Sequence, residues 1–210
     1  MWLYIYPLIY LTTIFFGIIY YSKYAHNKEL IFFLIFLIYS LLTELFGNYK
    51  GRVLRTNTFY IYNTWNIVNH LFYMFFFLVK LNDIFKRRIL ISLIFLYVLL
   101  TVINVLFFEN YITEGLINNI ILGSLFILVS VMIYYSELLK KDEILEIQYS
   151  MFFWISIGVL IFNIGFLPII VIAEFISYGG VYIYITLGLN ILMSLCFITG
   201  FIMSKKVYNI

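Results

Sequence analysis

Long uncharged stretches separated by short charged segments dominate the chain. Six stretches contain no Asp, Glu, Lys or Arg: 1–22, 56–79, 89–108, 115–136, 147–173 and 175–204. Each is as long as the roughly 17–25 residues that an α-helix needs to cross a bilayer. A shorter stretch, 30–43, extends to Gly47 if Glu44 lies inside the membrane or at its edge. The pattern predicts seven transmembrane helices, near residues 2–21, 29–47, 59–79, 89–108, 116–137, 150–173 and 181–203.

Composition supports the same class of fold. Apolar residues make up 65% of the 210 residues, charged residues only 11%, and the mean hydropathy is +1.05. A soluble domain is nearer about 25% charged. The predicted helices leave only short loops, and the first has neither a basic leading segment nor a small-residue cleavage site, so we expect it to be retained. The expected fold is a single all-α domain over 1–210, a polytopic transmembrane helix bundle.

Basic residues predict the orientation. Alternate connecting segments carry ten of the thirteen Lys and Arg residues, and the intervening set carries only Lys50, Arg52 and Arg55. The positive-inside rule then places the N-terminus outside and the C-terminus in the cytoplasm, as expected in a bacterial inner membrane. The net charge of +3 is mostly this topological signal. It gives no reason to expect nucleic-acid binding, whereas the basic turns offer contacts for membrane lipids or a cytoplasmic protein partner.

The third predicted helix carries an unusual polar stripe. At about 100° per residue, six side chains fall within an arc of about 120°: Tyr62, Asn63, Asn66, Asn69, His70 and Tyr73. Lipid cannot satisfy such groups, so the stripe is expected to face neighbouring helices or a cavity. Buried Asn side chains also commonly join helices in membrane proteins. Both interpretations, a ligand cavity and interhelical hydrogen bonding, remain open at this stage.

Polar residues of other spans are candidate partners for this stripe. With the N-terminus outside, Glu44, Asn63, Asn104, Asn118, Asn119 and Glu174 are expected in the outer half of the membrane, and Asn66, His70, Asn163 and Asn190 near its middle. The pattern predicts a polar cavity that opens outward. An intramembrane carboxylate is costly unless paired, so Glu44 is expected to have a partner, with Arg52 and Arg55 as candidates. The candidate binding residues are Glu44, Asn63, Asn66, His70, Tyr73, Asn104, Asn163 and Asn190.

The residue inventory argues against several chemistries. The last span contains no lysine for a retinal Schiff base, and the chain has only two histidines, too few for a seven-span zinc hydrolase. The single Cys196 has no basic neighbour in its span, and no Gly-x-Ser-Gly stretch suggests an intramembrane serine protease. We therefore predict no catalytic residues, no metal and no cofactor. An intramembrane lipid hydrolase that uses Glu44 and His70 remains a further alternative.

The chain resembles two groups of small membrane proteins. The segment Glu44-Leu-Phe-Gly-Asn48, the basic loop after it, Tyr62-Asn63-x-Trp65 and the Lys-Arg-Arg turn at 86–88 resemble small seven-span proteins of A+T-rich Gram-negative bacteria, which implies the fold but no activity. Size and composition more loosely resemble the small membrane accessory proteins encoded beside type VI-B RNA-guided nucleases. The leading hypothesis is a non-enzymatic membrane sensor or accessory protein whose cavity binds a small molecule, a lipid headgroup or a partner. The alternative is an antiviral accessory or effector that acts as a homo-oligomer.

Overall fold

The described part of the chain is all-helical. The computed structural model describes residues 5–140, 142–173 and 180–209. These residues form seven α-helices: α1 (Ile5–Ile19), α2 (Lys28–Arg52), α3 (Phe59–Leu78), α4 (Ile84–Phe107), α5 (Ile117–Leu138), α6 (Met151–Ala173) and α7 (Gly180–Met203). Short 3-10 turns cover Tyr21–Lys23, Asp142–Tyr149 and Lys206–Tyr208. The prediction of an all-α fold is confirmed.

Two helices include basic residues beyond the uncharged stretches. α2 continues to Arg52, and α4 begins at Ile84, so the basic residues on both helices are helical rather than part of turns. The start of α4 is capped by Asp83, whose Oδ1 accepts hydrogen bonds from the backbone N–H groups of Phe85 (2.8 Å) and Lys86 (3.4 Å). The predicted end of the second helix near 47 and start of the fourth near 89 were therefore wrong, because charge limits the segment inside lipid whereas capping ends a helix.

Five helices have the length and hydropathy of membrane spans. Within the described residues these are α2, α4, α5, α6 and α7. The described part of α1 is apolar but shorter, and α3 is a 20-residue helix that carries the polar stripe. These features are typical of a helical membrane protein.

The chain forms two compact units, and unit 1 comprises residues 1–45 and 142–210. In unit 1, α7 packs against both α6 and α1. The contact between α6 and α7 is close at Gly158, where a Cβ would lie 3.1 Å from the backbone oxygen of Met193. Such small residues let helix backbones approach each other. The hydroxyls of Thr13 and Ser194 join α1 to α7 at 2.6 Å.

The C-terminal residues are fastened to one end of unit 1. Asn209 is fully buried, and its Oδ1 accepts a hydrogen bond from the backbone N–H of Met151 at 2.9 Å. Its Nδ2 donates to the Lys23 carbonyl at 3.2 Å, and its own carbonyl accepts from Nδ2 of Asn27 at 3.0 Å. One asparagine therefore ties together the α1–α2 connection, the start of α6 and the chain's last turn.

Unit 2 comprises residues 46–141, which include the last turns of α2 and all of α3, α4 and α5. In this unit α5 packs against both α3 and α4, and α3 also contacts α4. The core between them includes fully buried Met74, Phe77, Leu90, Tyr97, Ile127 and Val131. This unit contains the polar stripe of α3.

Candidate functional site

Four buried polar side chains from three helices form one hydrogen-bonded group in unit 2. His70 of α3, Tyr97 and Thr101 of α4, and Asn119 of α5 are each at most 9% exposed. Nδ1 of His70 lies 2.9 Å from the Tyr97 hydroxyl oxygen, to which Nδ2 of Asn119 donates at 2.8 Å. Thr101 lies 2.7 Å from Oδ1 of Asn119. We call these four residues the His70 cluster.

The His70 cluster can be hydrogen-bonded in either of two directions. With Asn119 donating to Tyr97, the Tyr97 proton goes to Nδ1 of His70, and the imidazole carries its proton on Nε2. Rotation of the Asn119 carboxamide by half a turn exchanges its oxygen and nitrogen. Asn119 then donates to Thr101 and accepts from the Tyr97 hydroxyl, so donor and acceptor exchange roles in each hydrogen bond of the cluster. His70 then donates from Nδ1, and Thr101 donates to the Tyr97 carbonyl 2.8 Å away. The tautomer of His70 is thus coupled to the orientation of Asn119.

A glycine of α5 makes room for the imidazole. A Cβ built on Gly123 would overlap Nδ1 and Cγ of His70 and lie 2.6 Å from its Cε1. Real side-chain contacts do not come this close, so any larger residue at position 123 has to displace the ring. The close packing of α3 on α5 therefore depends on this glycine, and so does the His70–Tyr97 hydrogen bond.

Asn63 fastens the α4–α5 connection to α3. Its Nδ2 donates to the carbonyls of Tyr111 (2.9 Å) and Glu114 (2.8 Å), and its Oδ1 accepts from the backbone N–H of Leu116 (3.1 Å). Three backbone groups of one connecting segment are satisfied by a single buried side chain. Both polar atoms of the Asn63 side chain are therefore used in hydrogen bonds that hold the α4–α5 connection against α3.

Asn104 belongs to a second polar group at the same end of the unit. Its Nδ2 donates to Oε2 of Glu109 at 2.6 Å, and its Oδ1 lies 3.4 Å from Nδ2 of Asn118. Oε1 of Glu109 accepts from the backbone N–H of Asn118, in the first turn of α5, at 3.0 Å. A carboxylate is favourable at this position because the N-terminal end of a helix is electropositive.

Two amides of the polar stripe differ from these paired groups. Asn66 and Asn69 are half-buried, and neither carboxamide makes a hydrogen bond within the part of the chain that the structure describes. Asn66 lies one helical turn before His70, so the two side chains share a face of α3. Tyr73, one turn after His70, is buried at 4% exposure. The stripe thus combines a buried, paired part with a half-buried part whose amides have unused hydrogen-bonding capacity.

The remaining candidates lie in unit 1. Glu44 is half-buried on α2, close enough to the phenols of Tyr6 and Tyr10 to interact with them electrostatically. Nδ2 of Asn163 donates to the Val159 carbonyl and Nδ2 of Asn190 to the Thr186 carbonyl, each within its own helix. Glu174, the other carboxylate considered, lies outside the described residues.

Sequence reasoning missed three residues that organise the site. Tyr97 is one aromatic among many in an apolar helix, although its spacing of four and seven residues from Thr101 and Asn104 places all three on one face of α4. Glu109 was overlooked because it lies in the connecting segment rather than in a span. The role of Gly123 cannot be recognised from sequence, because it depends on the packing of His70 against it from α3.

Comparisons with protein-family models, with curated proteins and with solved structures find no match to this chain. Among the described residues, no three His, Cys, Asp or Glu side chains lie together in a way that could hold a metal ion. The groups that the structure shows at the site are hydrogen-bonding side chains, together with the carboxylate of Glu109.

Proposed function

We propose that this chain is a seven-span protein of the bacterial inner membrane that acts as a non-enzymatic sensor or accessory protein. In this proposal the N-terminus is outside, the C-terminus is cytoplasmic, and α1 and α3 cross the membrane together with the five longer apolar helices. The Asn63 and Asn104 end of unit 2 then faces outward, and the His70 cluster lies deeper. The ligand is a small polar molecule, a lipid headgroup or a partner segment that contacts the half-buried face of α3.

The observation that carries this proposal is a pair of amides on α3 that make no hydrogen bond with any residue the structure describes. A carboxamide without a hydrogen-bond partner costs roughly 1–3 kcal/mol in a protein interior, and lipid offers it no partner. Asn66 and Asn69 lie three residues apart and are both half-buried, so one bound group can contact both. A polar ligand, or a polar segment of a partner, would satisfy them.

The His70 cluster supplies a means of response. A ligand can shift an equilibrium only if it interacts differently with the two states. The two directions of hydrogen bonding leave the His70 Nε2 either protonated or bare, so a group bound beside Asn66 would favour one of them. Because Tyr97 and Asn119 belong to α4 and α5, this choice would be transmitted to both neighbouring helices.

Cysteine accessibility tests the proposal. In a Cys196→Ser background, Asn66→Cys and Asn69→Cys should react with a membrane-impermeant methanethiosulfonate reagent added outside intact cells. Val68→Cys is the matched control, since Val68 lies between them on α3 and is 36% exposed, on the side that would face lipid. A thiol in lipid stays protonated and unreactive.

Two results would contradict the ligand site. Equal lack of reactivity at positions 66, 68 and 69 would show that no hydrated surface reaches this face. Disulfide formation between Asn66→Cys residues of two chains would show that a second copy of the protein covers the amides, which would favour a homo-oligomeric effector instead.

A further inference from the structure

One end of unit 2 combines basic side chains with exposed, bulky apolar ones. It consists of residues 79–88, which connect α3 to α4 and begin α4, together with residues 137–140 at the end of α5. Glu137 joins the two segments, because its carboxylate accepts hydrogen bonds from the backbone N–H groups of Asn82 at 2.6 Å and Asp83 at 3.4 Å. We call this region the basic end.

Positive charge at the basic end is only partly balanced. Its two segments contain five basic and two acidic residues, namely Lys80, Lys86, Arg87, Arg88 and Lys140 against Asp83 and Glu137. Both carboxylates hydrogen-bond to backbone N–H groups. Arg87 and Arg88 are exposed, and within the described residues their guanidinium groups make no hydrogen bond or ion pair. Two arginine side chains are therefore available to an anion.

Exposed apolar side chains lie in the same two segments as these arginines. Ile84 is 69% exposed, Phe85 is 71% exposed and Leu139 is 65% exposed. Ile84 and Phe85 form the first turn of α4, one of the helices long and apolar enough to cross a membrane. Exposed apolar side chains would add nothing to the binding of free phosphate in water. At the boundary between lipid headgroups and acyl chains, by contrast, arginines can contact phosphate groups while the apolar side chains contact acyl chains.

We propose that the basic end binds the phosphate groups of anionic phospholipids, with Ile84 and Phe85 packed against their acyl chains. Arg87 and Arg88 supply the planar donor groups that suit phosphate oxygens. Basic residues at a membrane surface attract anionic lipids, and the effect is about fivefold in affinity for each charge. This inference concerns a different region from the α3 amides and does not depend on the ligand proposed for them.

Native mass spectrometry of the purified protein, with equimolar phosphatidylglycerol and phosphatidylcholine, tests the arginines. The wild type should retain phosphatidylglycerol preferentially, and Arg87→Gln/Arg88→Gln should lose most of that preference. Arg52→Gln/Arg55→Gln is the matched control, since it removes two exposed charges from the other end of the same unit. Purified protein is used so that a change of membrane orientation cannot affect the result. Equal loss in both double variants would show a general charge effect and overturn the proposal.

A second pair of variants tests the apolar contact. Phe85→Ser should reduce retention of phosphatidylglycerol, whereas Phe107→Ser, which changes a 75% exposed phenylalanine near the other end of α4, should not. Unfolding temperatures confirm that each variant is folded. If Phe85→Ser retains lipid as the wild type does, or if millimolar inorganic phosphate displaces the lipid completely, the basic end is a simple anion site rather than a phospholipid site.

Discussion

The imidazole of His70 occupies space that exists only because residue 123 has no side chain. A Cβ at Gly123 would overlap the ring of His70, whose Nδ1 lies 2.9 Å from the Tyr97 hydroxyl. One glycine on α5 therefore determines whether a histidine on α3 can reach a tyrosine on α4. Packing and hydrogen bonding are coupled at this point, which makes the His70 cluster sensitive to single-residue changes.

Gly123→Ala should destabilise the protein by about 1–3 kcal/mol, because the added methyl group displaces the ring and overpacks the interface. Thermal unfolding in detergent measures the change. Gly188→Ala is the matched control, since a Cβ there meets no atom within 4 Å and alanine favours a helix. Equal destabilisation by the two variants would show that His70 is not confined by position 123.

Tyr97→Phe should cost about 1–3 kcal/mol of unfolding free energy, because it leaves Nδ1 of His70 and Nδ2 of Asn119 without a partner in a buried site. Chemical unfolding monitored by circular dichroism gives the value. Tyr134→Phe is the control in the same unit: Tyr134 is 6% exposed, and its hydroxyl makes no hydrogen bond within the described residues. The cluster would contribute nothing to stability if both variants unfolded like the wild type.

Asn63→Leu should loosen the α4–α5 connection, since three backbone groups at Tyr111, Glu114 and Leu116 lose their partner. Hydrogen exchange of residues 108–116 should accelerate about tenfold or more, because local opening becomes easier. Asn163→Leu is the control, because among the described residues the amide of Asn163 bonds to the Val159 carbonyl of its own helix and to no other group. Unchanged exchange in 108–116 would rule out this anchoring role.

Glu44 has two kinds of candidate partner, and a double-mutant cycle separates them. Tyr10 lies within electrostatic range of Glu44, whereas Arg52 is exposed and follows it by eight residues on α2. Glu44→Gln and Tyr10→Phe should combine non-additively by about 0.5–3 kcal/mol, while Glu44→Gln and Arg52→Gln should add. Thermal or chemical unfolding of the wild type, the three single variants and the two double variants gives both values. The reverse pattern would restore the arginine as the partner expected from sequence.

The proposed orientation is tested with single cysteines in a Cys196→Ser background. Leu54 is 46% exposed in the α2–α3 connection, and Val207 is 69% exposed in the last turn. An impermeant thiol reagent should label Leu54→Cys in intact cells, but Val207→Cys only after the membrane is permeabilised. The opposite labelling would invert the topology and place the Asn63 end in the cytoplasm.

The number of helices and most of their positions could be predicted from sequence. Long apolar runs form helices whatever their neighbours are, because a backbone in lipid must satisfy its own hydrogen bonds. The same rule did not predict the end of α2 at Arg52 or the start of α4 at Ile84, since charged residues continue a helix outside lipid. Capping by Asp83 decided the start of α4.

The polar stripe of α3 was predictable from sequence, but which of its side chains are hydrogen-bonded was not. Periodicity places Asn63, Asn66 and His70 on one side of a helix, and it does so without reference to any other helix. Only the tertiary structure shows that Asn63 and His70 are paired, while the amide of Asn66 has no partner among the described residues. Tyr97 and Gly123 acquire their roles from helices that pack across the unit, so no local pattern reveals them. Sequence by itself determined the number of helices and the polar face of α3, because both follow from the order of residues along one segment. Tertiary packing decided which of those polar groups are hydrogen-bonded, because their partners belong to other helices.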